Sequence, residues 1–185
     1  YWPEPTLLLI YAEGCVPGIR RLNTRVLDLF AEAPACAAFV ARHGKDAAAT
    51  GREPRGDWKP QALTLGYNYR YDAVRFSRKP FAVAAAAQRT ASGLLFWVDA
   101  DVLTHAPVSE AFLRNLLPAD ADYCYLGRST TYSECGFVGY RLPACSQLII
   151  DVADAYRTDA VFAEAEWHES FLFDVVRRRP ECAGL

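Results

Sequence analysis

The sequence lacks several features that mark membrane or nucleic-acid-binding proteins. It has no methionine, and position 1 is a tyrosine, which predicts a processed or trimmed chain. Its longest apolar runs, residues 6–12 and 94–98, fall well short of the roughly 20 residues that span a bilayer, and no signal peptide is recognisable. A formal net charge of −2 leaves no overall basic field for nucleic acid, although local basic spots can still hold a phosphate. We therefore expect a soluble protein with no transmembrane segment and no nucleic-acid partner.

Cysteine spacings typical of metal ribbons or redox motifs are also missing. The six cysteines form no Cys-x-x-Cys pair and no short metal-ligand spacing. A chain of 185 residues can bury a sizeable core without disulfides, so reduced thiols and a cytoplasmic location are the simpler interpretation. The cysteines stand at positions 15, 36, 124, 135, 145 and 182. Length and ordinary composition predict one domain over residues 1–185.

The sequence does contain an alternation of strand-like and helix-like segments. Strands are predicted at residues 6–13, 94–98, 122–126 and 136–142, and helices at 23–43, within 67–91, and at 109–117, 143–156 and 167–179. Pro34 is expected to split the first helix, and residues 45–65 to form an exposed loop. The run 94–98 is apolar on both faces, which is typical of a buried central strand. This alternation predicts the α/β class, with a mixed, mainly parallel sheet flanked by helices.

Two carboxylates directly follow the run 94–98. Asp99 and Asp101 are two residues apart, so in an extended chain their side chains point to the same side. Open α/β sheets bind their ligands where the strands end. Two hard oxygen ligands suit Mn²⁺ or Mg²⁺, which would complete its coordination with water and phosphate oxygens. The alternative is a turn whose aspartates accept hydrogen bonds from backbone amides.

Haloacid-dehalogenase-like phosphatases also place Asp-x-Asp after a buried strand, with the first aspartate as the nucleophile. That chemistry needs Thr or Val two residues after the second aspartate, where this chain has Leu103. It also uses a later basic residue, usually a lysine, and no lysine follows Asp101, although arginines do. A Mg²⁺-dependent phosphatase is therefore the second hypothesis.

A basic and aromatic segment precedes the Asp-Ala-Asp strand. Tyr71, Arg75 and Lys79 are spaced four residues apart and share one face if the segment is helical. Cations in that arrangement would hold a diphosphate or the hydroxyls of a donor sugar. A solvated helix face explains the same spacing equally well.

A polar loop, residues 129–134, leads into a strand that contains glycine. Glycine in a strand lets another molecule approach the backbone closely. Tyr132, Glu134 and Gly136 are therefore candidate contacts to a sugar acceptor. The alternative is a bulge in a tightly packed sheet.

Taken together, these segments resemble the GT-A glycosyltransferases. The resemblance runs in the expected order through residues 9–13, 69–79, 96–102, 134–140 and 167–170, and covers roughly residues 6–178. It implies a GT-A-type, Rossmann-like fold. It also implies metal-dependent transfer of a sugar from a nucleoside-diphosphate donor to an unknown acceptor hydroxyl, with UDP as the usual nucleotide and Mn²⁺ or Mg²⁺ as the metal.

The resemblance implies one group of residues that binds the nucleotide sugar. These are Tyr11, Ala12, Glu13, Tyr71, Arg75, Lys79, Asp99 and Ala100. In that family the end of the first strand contacts the base, and the basic residues before the Asp-x-Asp strand contact the donor. The Asp-x-Asp motif itself binds the diphosphate and the metal ion.

Residues 167–170, Trp-His-Glu-Ser, resemble the Trp-His-Asp-Glu-Ser loop of the retaining transferases related to the blood-group enzymes, with one residue fewer. There the acids serve the acceptor and the reacting centre, which implies Glu169 or Glu134 as the catalytic carboxylate and Trp167 as an acceptor contact. His168 is the implied third metal ligand, and a packed or capping histidine is the alternative interpretation.

The stereochemistry and even the presence of turnover stay open at this level. A carboxylate acting as general base gives inversion, whereas a nucleophilic carboxylate or same-face attack gives retention. A GT-A-like domain that binds a nucleotide or glycan without turnover is a further alternative.

Overall fold

The computed structural model describes residues 2, 6–14, 18–19, 22–53 and 66–180, and shows a mixed α/β structure. The strands are β1 (Leu8–Ala12), β2 (Thr24–Asp28), β3 (Gly93–Val98), β4 (Tyr123–Leu126) and β5 (Glu134–Leu142). The helices are α1 (Leu29–Glu32), α2 (Pro34–His43), α3 (Ala73–Phe76), α4 (Arg78–Gln88), α5 (Glu110–Leu116), α6 (Ser146–Arg157) and α7 (Glu169–Arg177). Short 3₁₀ turns lie at Tyr69–Tyr71 and Ala160–Ala163.

The strands form two small sheets, and most of their pairing is antiparallel. β1 and β2 are parallel, whereas β3 and β4 both pair antiparallel with β5, which lies between them. The prediction of a mainly parallel sheet is therefore wrong for the described residues. The connection between β4 and β5, residues 127–133, is too short for the crossover that parallel neighbours require.

The helix predicted for residues 23–43 begins later than expected. Residues 24–28 form β2, which pairs with β1, and α1 starts only at Leu29. The Asp28 side chain caps α1 by accepting a hydrogen bond from the Ala31 amide at 2.8 Å. The break at Pro34 is confirmed, because α2 begins at that residue.

β3 is an edge strand of its sheet rather than the predicted buried central strand. One edge pairs with β5, and the other borders a cavity of about 450 Å³ between β3 and β1. Residues 94–98 are accordingly only half-buried. An apolar strand on the rim of an apolar cavity has the same sequence pattern as a central strand, so the sequence could not separate the two cases.

The core is centred on α6, which packs against both α4 and α7. Fully buried Leu148 and Tyr156 of α6 meet apolar residues of these helices and of β5. Within the described ranges, no helix is both long and apolar enough to cross a membrane. The four cysteines described there carry free thiols, as predicted. Cys15, Cys182 and residues 54–65 of the predicted loop lie outside the described residues.

Candidate functional site

Lys79 joins two of the predicted site carboxylates. Its ammonium, in the first turn of α4, lies 2.8 Å from Oδ1 of Asp99 and 2.7 Å from Oε1 of Glu169. It also donates a hydrogen bond to the backbone carbonyl of Cys135 at 3.1 Å. All three ammonium hydrogens thus have an acceptor. The side chains of Lys79 and Glu169 are only 16% and 8% exposed, so this ion pair is largely shielded from water.

Asp99 is fixed from two further directions. Its Oδ1 also accepts a hydrogen bond from the indole nitrogen of Trp97, and its backbone amide donates to the carbonyl of Gly136 at 2.9 Å. The Trp97 ring lies 5.7 Å from the Lys79 ammonium, within the range of a cation–π contact. Asp99 therefore has a set orientation at the end of β3.

Glu134 approaches Asp99 across a glycine. A Cβ placed on Gly136 would lie 3.2 Å from Oε1 of Glu134 and 3.4 Å from Oδ2 of Asp99. Oε1 of Glu134 accepts the Gly136 amide hydrogen at 3.0 Å, and the other carboxylate oxygen pairs with Arg128. The groups that approach the strand at this glycine are therefore the protein's own carboxylates. We call Lys79, Asp99, Glu134 and Glu169 the lysine–carboxylate cluster.

Asp101 takes no part in the ion pair and hydrogen bonds that hold Asp99. The chain turns immediately after β3, where the amide of Val102 donates to the carbonyl of Asp99 at 3.1 Å. The expectation of an extended chain through the two aspartates is therefore wrong. Ala100 and Asp101 are exposed, and within the described part of the chain Asp101 has no hydrogen bond or ion pair.

His168 caps α7, and both of its ring nitrogens are in use. Nδ1 accepts the amide of Phe171 at 3.4 Å, and Nε2 meets the carboxylate of Glu166 at 2.8 Å. The residue is 2% exposed, and this burial lowers its pKa, which the Glu166 carboxylate partly opposes. The ring is a neutral capping group packed 4.3 Å from the ring of Tyr132.

The three metal ligands predicted from the sequence, Asp99, Asp101 and His168, do not come together as one site. Among the described residues, no three His, Cys, Asp or Glu side chains group so as to hold a metal ion. His168 does not fit such a site, because both nitrogens already have partners. Oxygens that suit a hard divalent ion are Oδ2 of Asp99, Oε1 of Glu134 and the free carboxylate of Asp101.

The predicted aromatic acceptor contacts differ in their access to solvent. Trp167 is 2% exposed and packs against Tyr71 with ring centroids 5.3 Å apart, which makes it part of the core. Tyr132 is half-buried, and its hydroxyl bonds to the hydroxyl of Tyr69. Tyr132 is therefore open to a ligand, whereas the Trp167 ring is covered by protein.

The end of β1 carries two polar groups in different situations. The hydroxyl of Tyr11 is buried at the cavity between β1 and β3 and has no hydrogen-bond partner among the described residues. Burial raises its pKa, with a smaller contribution from Glu32. Glu13 accepts a hydrogen bond from Arg78 at 2.8 Å. The half-buried Ala12 ends β1 between them. Glu13 thus ties the end of this strand to the start of α4.

Tyr71, Arg75 and Lys79, which were predicted to share one helical face, lie in three different elements. Tyr71 lies in a 3₁₀ turn, Arg75 in α3 and Lys79 in α4, because the helix is interrupted at Ser77. Lys79 points to the cluster, whereas Arg75 is exposed and lines a different cavity. The two cations predicted to hold the donor are thus divided between two places.

The cavity that Arg75 lines is a groove that the sequence did not predict. It has a volume of about 570 Å³, and four cations line it: Lys45, Arg52, Arg75 and Arg78. We call this cavity the basic groove. The cations within residues 42–52 could have pointed to an anion-binding surface. That segment shows no periodicity, however, from which its position beside residues 67–78 could be predicted.

Comparisons of the chain with protein-family models, with curated proteins and with solved structures found no match. Any function must therefore be inferred from the residues and from their geometry.

Proposed function

We propose that this protein is a metal-dependent glycosyltransferase with a GT-A-type architecture. It would move a sugar from a nucleoside-diphosphate donor, with UDP as the nucleotide, to an acceptor hydroxyl. The observation that carries the proposal is the ion pair of Lys79 with Asp99 and Glu169. It brings together one residue from each of three segments, namely Asp99 of the Asp-Ala-Asp motif, Lys79 of the basic segment and Glu169 of the Trp-His-Glu-Ser segment. The free thiols of the described cysteines support a cytoplasmic location.

The two candidate catalytic carboxylates differ in access. The Glu134 side chain is 36% exposed and pairs with Arg128 at the surface, where an ion pair is weak and easily displaced. Glu169 is buried behind Lys79. We therefore assign Glu134 to the reacting centre, where it would accept the proton of the acceptor hydroxyl. Glu169 would act through Lys79, by holding the ammonium against Asp99.

A Mn²⁺ or Mg²⁺ ion belongs to this proposal, with Asp99 and Asp101 as its protein ligands. When bound, such an ion would stabilise the negative charge of the departing diphosphate. His168 is left out because it caps α7. Glu134 offers an additional carboxylate oxygen on the same side of Gly136 as Asp99.

Thermal stabilisation by nucleotides tests this proposal. UDP, GDP and CMP are each added with and without Mn²⁺, because a ligand that binds only the native state raises the melting temperature. The variant is Asp101→Asn, and the control is Asp120→Asn, which removes another exposed carboxylate without a bond among the described residues. A shift with one nucleotide that needs Mn²⁺, disappears in Asp101→Asn and persists in the control supports the transferase. No shift with any nucleotide overturns it.

One observation favours the phosphatase as a second candidate. That chemistry needs a basic group at the first aspartate, and Lys79 supplies one to Asp99 even though it precedes it in sequence. Oδ2 of Asp99 would attack the phosphorus, the alcohol would leave, and water would then release phosphate from the acyl phosphate. Mg²⁺-dependent phosphate release from p-nitrophenyl phosphate that is abolished in Asp99→Asn would support this candidate over the transferase. Nucleotide binding without turnover of any donor would instead indicate a binding domain.

A further inference from the structure

The basic groove is built from two segments that are far apart in sequence. One is the turn that follows α2, with Lys45, Thr50 and Arg52, and the other runs from Tyr67 to Arg78. The carbonyl of Gly51 accepts the amide hydrogen of Asn68 at 2.7 Å, which joins the two segments. Glycine is needed at this position, because its φ of +66° is left-handed and an added Cβ would lie 2.4 Å from the carbonyl oxygen of Asn68. The groove therefore has a defined wall rather than a loose surface.

The four cations of the groove face one carboxylate among the described lining residues, so its positive charge is only partly offset from within. Asp72 is the carboxylate among its described lining residues, and both of its oxygens are already used. One accepts the amide of Arg75 at 2.9 Å, and the other accepts the hydroxyl of Tyr67 at 2.8 Å. Arg78 is paired with Glu13 behind the groove. The groove therefore keeps a net positive charge that is exposed to solvent.

Two of these cations stand free. Lys45 and Arg52 are exposed, and neither makes a hydrogen bond or ion pair with the residues that the structure describes. The chain as a whole carries a net charge of −2, so the groove is a local exception to an acidic protein. Converging guanidinium and ammonium groups bind phosphate oxygens by charge-assisted hydrogen bonds, and arginine does so in a bidentate manner.

We propose that the basic groove is a binding site for a phosphate-bearing ligand, with Lys45, Arg52 and Arg75 as its cations. Arg75 of the groove and Lys79 of the cluster lie on the consecutive helices α3 and α4, so the two regions are on neighbouring elements of the chain. The phosphate comes either from the diphosphate of the sugar donor or from a phosphorylated acceptor. Only the choice between these two sources of phosphate rests on the proposed glycosyltransferase function.

Calorimetric titration with inorganic pyrophosphate tests the site directly. The buffer contains no divalent cation, so that binding through a metal at Asp99 is excluded, and it has low ionic strength because salt screens exposed charges. The variant carries Lys45→Gln and Arg52→Gln, which are exposed positions, so the melting temperature should stay unchanged. The control is Arg25→Gln, which removes an exposed cation outside the groove.

We expect the double variant to bind pyrophosphate at least about tenfold more weakly, and the control to bind within about twofold of the unmodified protein. The proposal is overturned if the unmodified protein does not bind pyrophosphate, or if the double variant binds it equally well.

A competition experiment then identifies the source of the phosphate. If the nucleoside diphosphate that stabilises the protein displaces pyrophosphate, the groove holds the donor's diphosphate. If both bind together, the groove takes a phosphorylated acceptor. If no nucleotide stabilises the protein while pyrophosphate binding still depends on Lys45 and Arg52, the site stands and the transferase fails.

Discussion

In the lysine–carboxylate cluster, every hydrogen of the Lys79 ammonium meets an acceptor within the protein. In the basic groove, Lys45 and Arg52 meet none among the described residues. The charges of Lys79 and Glu169 are buried and paired, whereas those of Lys45 and Arg52 are exposed and have no partner among the described residues. Burial explains the difference, because an ion removed from water is tolerated only with a partner, whereas an exposed ion keeps its hydration.

The two regions are therefore suited to different tasks. Paired groups keep a fixed geometry before any ligand arrives, which is what a reacting centre needs. Unpaired exposed cations attract an anion from solution and lose little by exchanging water for phosphate oxygens. Changes in the cluster should mainly alter folding stability, and changes in the groove should mainly alter ligand binding.

The largest expected effect comes from removing the cation of the cluster. Lys79→Met leaves the buried carboxylate of Glu169 without its partner, and losing one member of a buried pair costs about 3–5 kcal/mol in the free energy of unfolding. Unfolding in urea measures this loss. Adding Glu169→Gln to Lys79→Met should recover part of it, because the buried charge is then gone. A loss below about 1 kcal/mol would show that Glu169 does not depend on Lys79.

Two glycines, Gly51 in the groove and Gly136 in the cluster, should differ in how well they tolerate an added methyl group. Gly51→Ala, in the wall of the groove, combines a left-handed φ with a contact to backbone, and should cost about 2–3 kcal/mol. Gly136→Ala, in the cluster, meets only the carboxylate ends of Glu134 and Asp99 and should cost under about 1 kcal/mol. Both values are read from urea unfolding of the two variants. Equal losses would contradict the difference between a rigid backbone neighbour at Gly51 and movable side-chain neighbours at Gly136.

The pH dependence of stability should report on His168. Burial lowers its pKa in the folded state, while the unfolded chain takes up a proton near the ordinary value of about 6.5. At pH values below this the unfolded state binds more protons, so stability present at pH 7 is lost as pH falls toward 5, by at most about 1.4 kcal/mol per pH unit. His168→Asn keeps a side chain that can cap α7. In this variant the free energy of unfolding should depend less on pH between pH 7 and pH 5. An unchanged slope would rule out His168 as its source.

Part of this arrangement could be predicted from the sequence. The strand before Asp99 and the break at Pro34 each follow from local chemistry that few neighbours can override. Lys79, Asp99 and Glu169, which the sequence singled out as candidate donor-binding, metal-binding and catalytic residues, contact one another through ion pairs. Their predicted roles stay predictions.

The rest depended on tertiary contacts that local patterns do not encode. The helical spacing of residues 22–30 was overridden where 24–28 pair with β1. The role of His168 was decided by Glu166 and by the start of α7, which together use both ring nitrogens. The basic groove was missed because its two lining segments, residues 44–52 and 67–78, meet through a turn with no periodic signal.

The smallest effect, and the most direct contrast with Lys79, concerns stability changes in the groove. Lys45→Gln and Arg52→Gln each remove an exposed charge without a partner among the described residues, so the free energy of unfolding should change by less than about 0.5 kcal/mol. Any change should be stabilising, because like charges are removed, and should vanish at high salt. Arg89→Gln is the matched control, since this exposed arginine loses a partner, Glu32 at 2.6 Å, and should be destabilised by about 0.2–1 kcal/mol. If the groove variants lose as much stability as Arg89→Gln, their cations are paired within the protein and are not available to an anion.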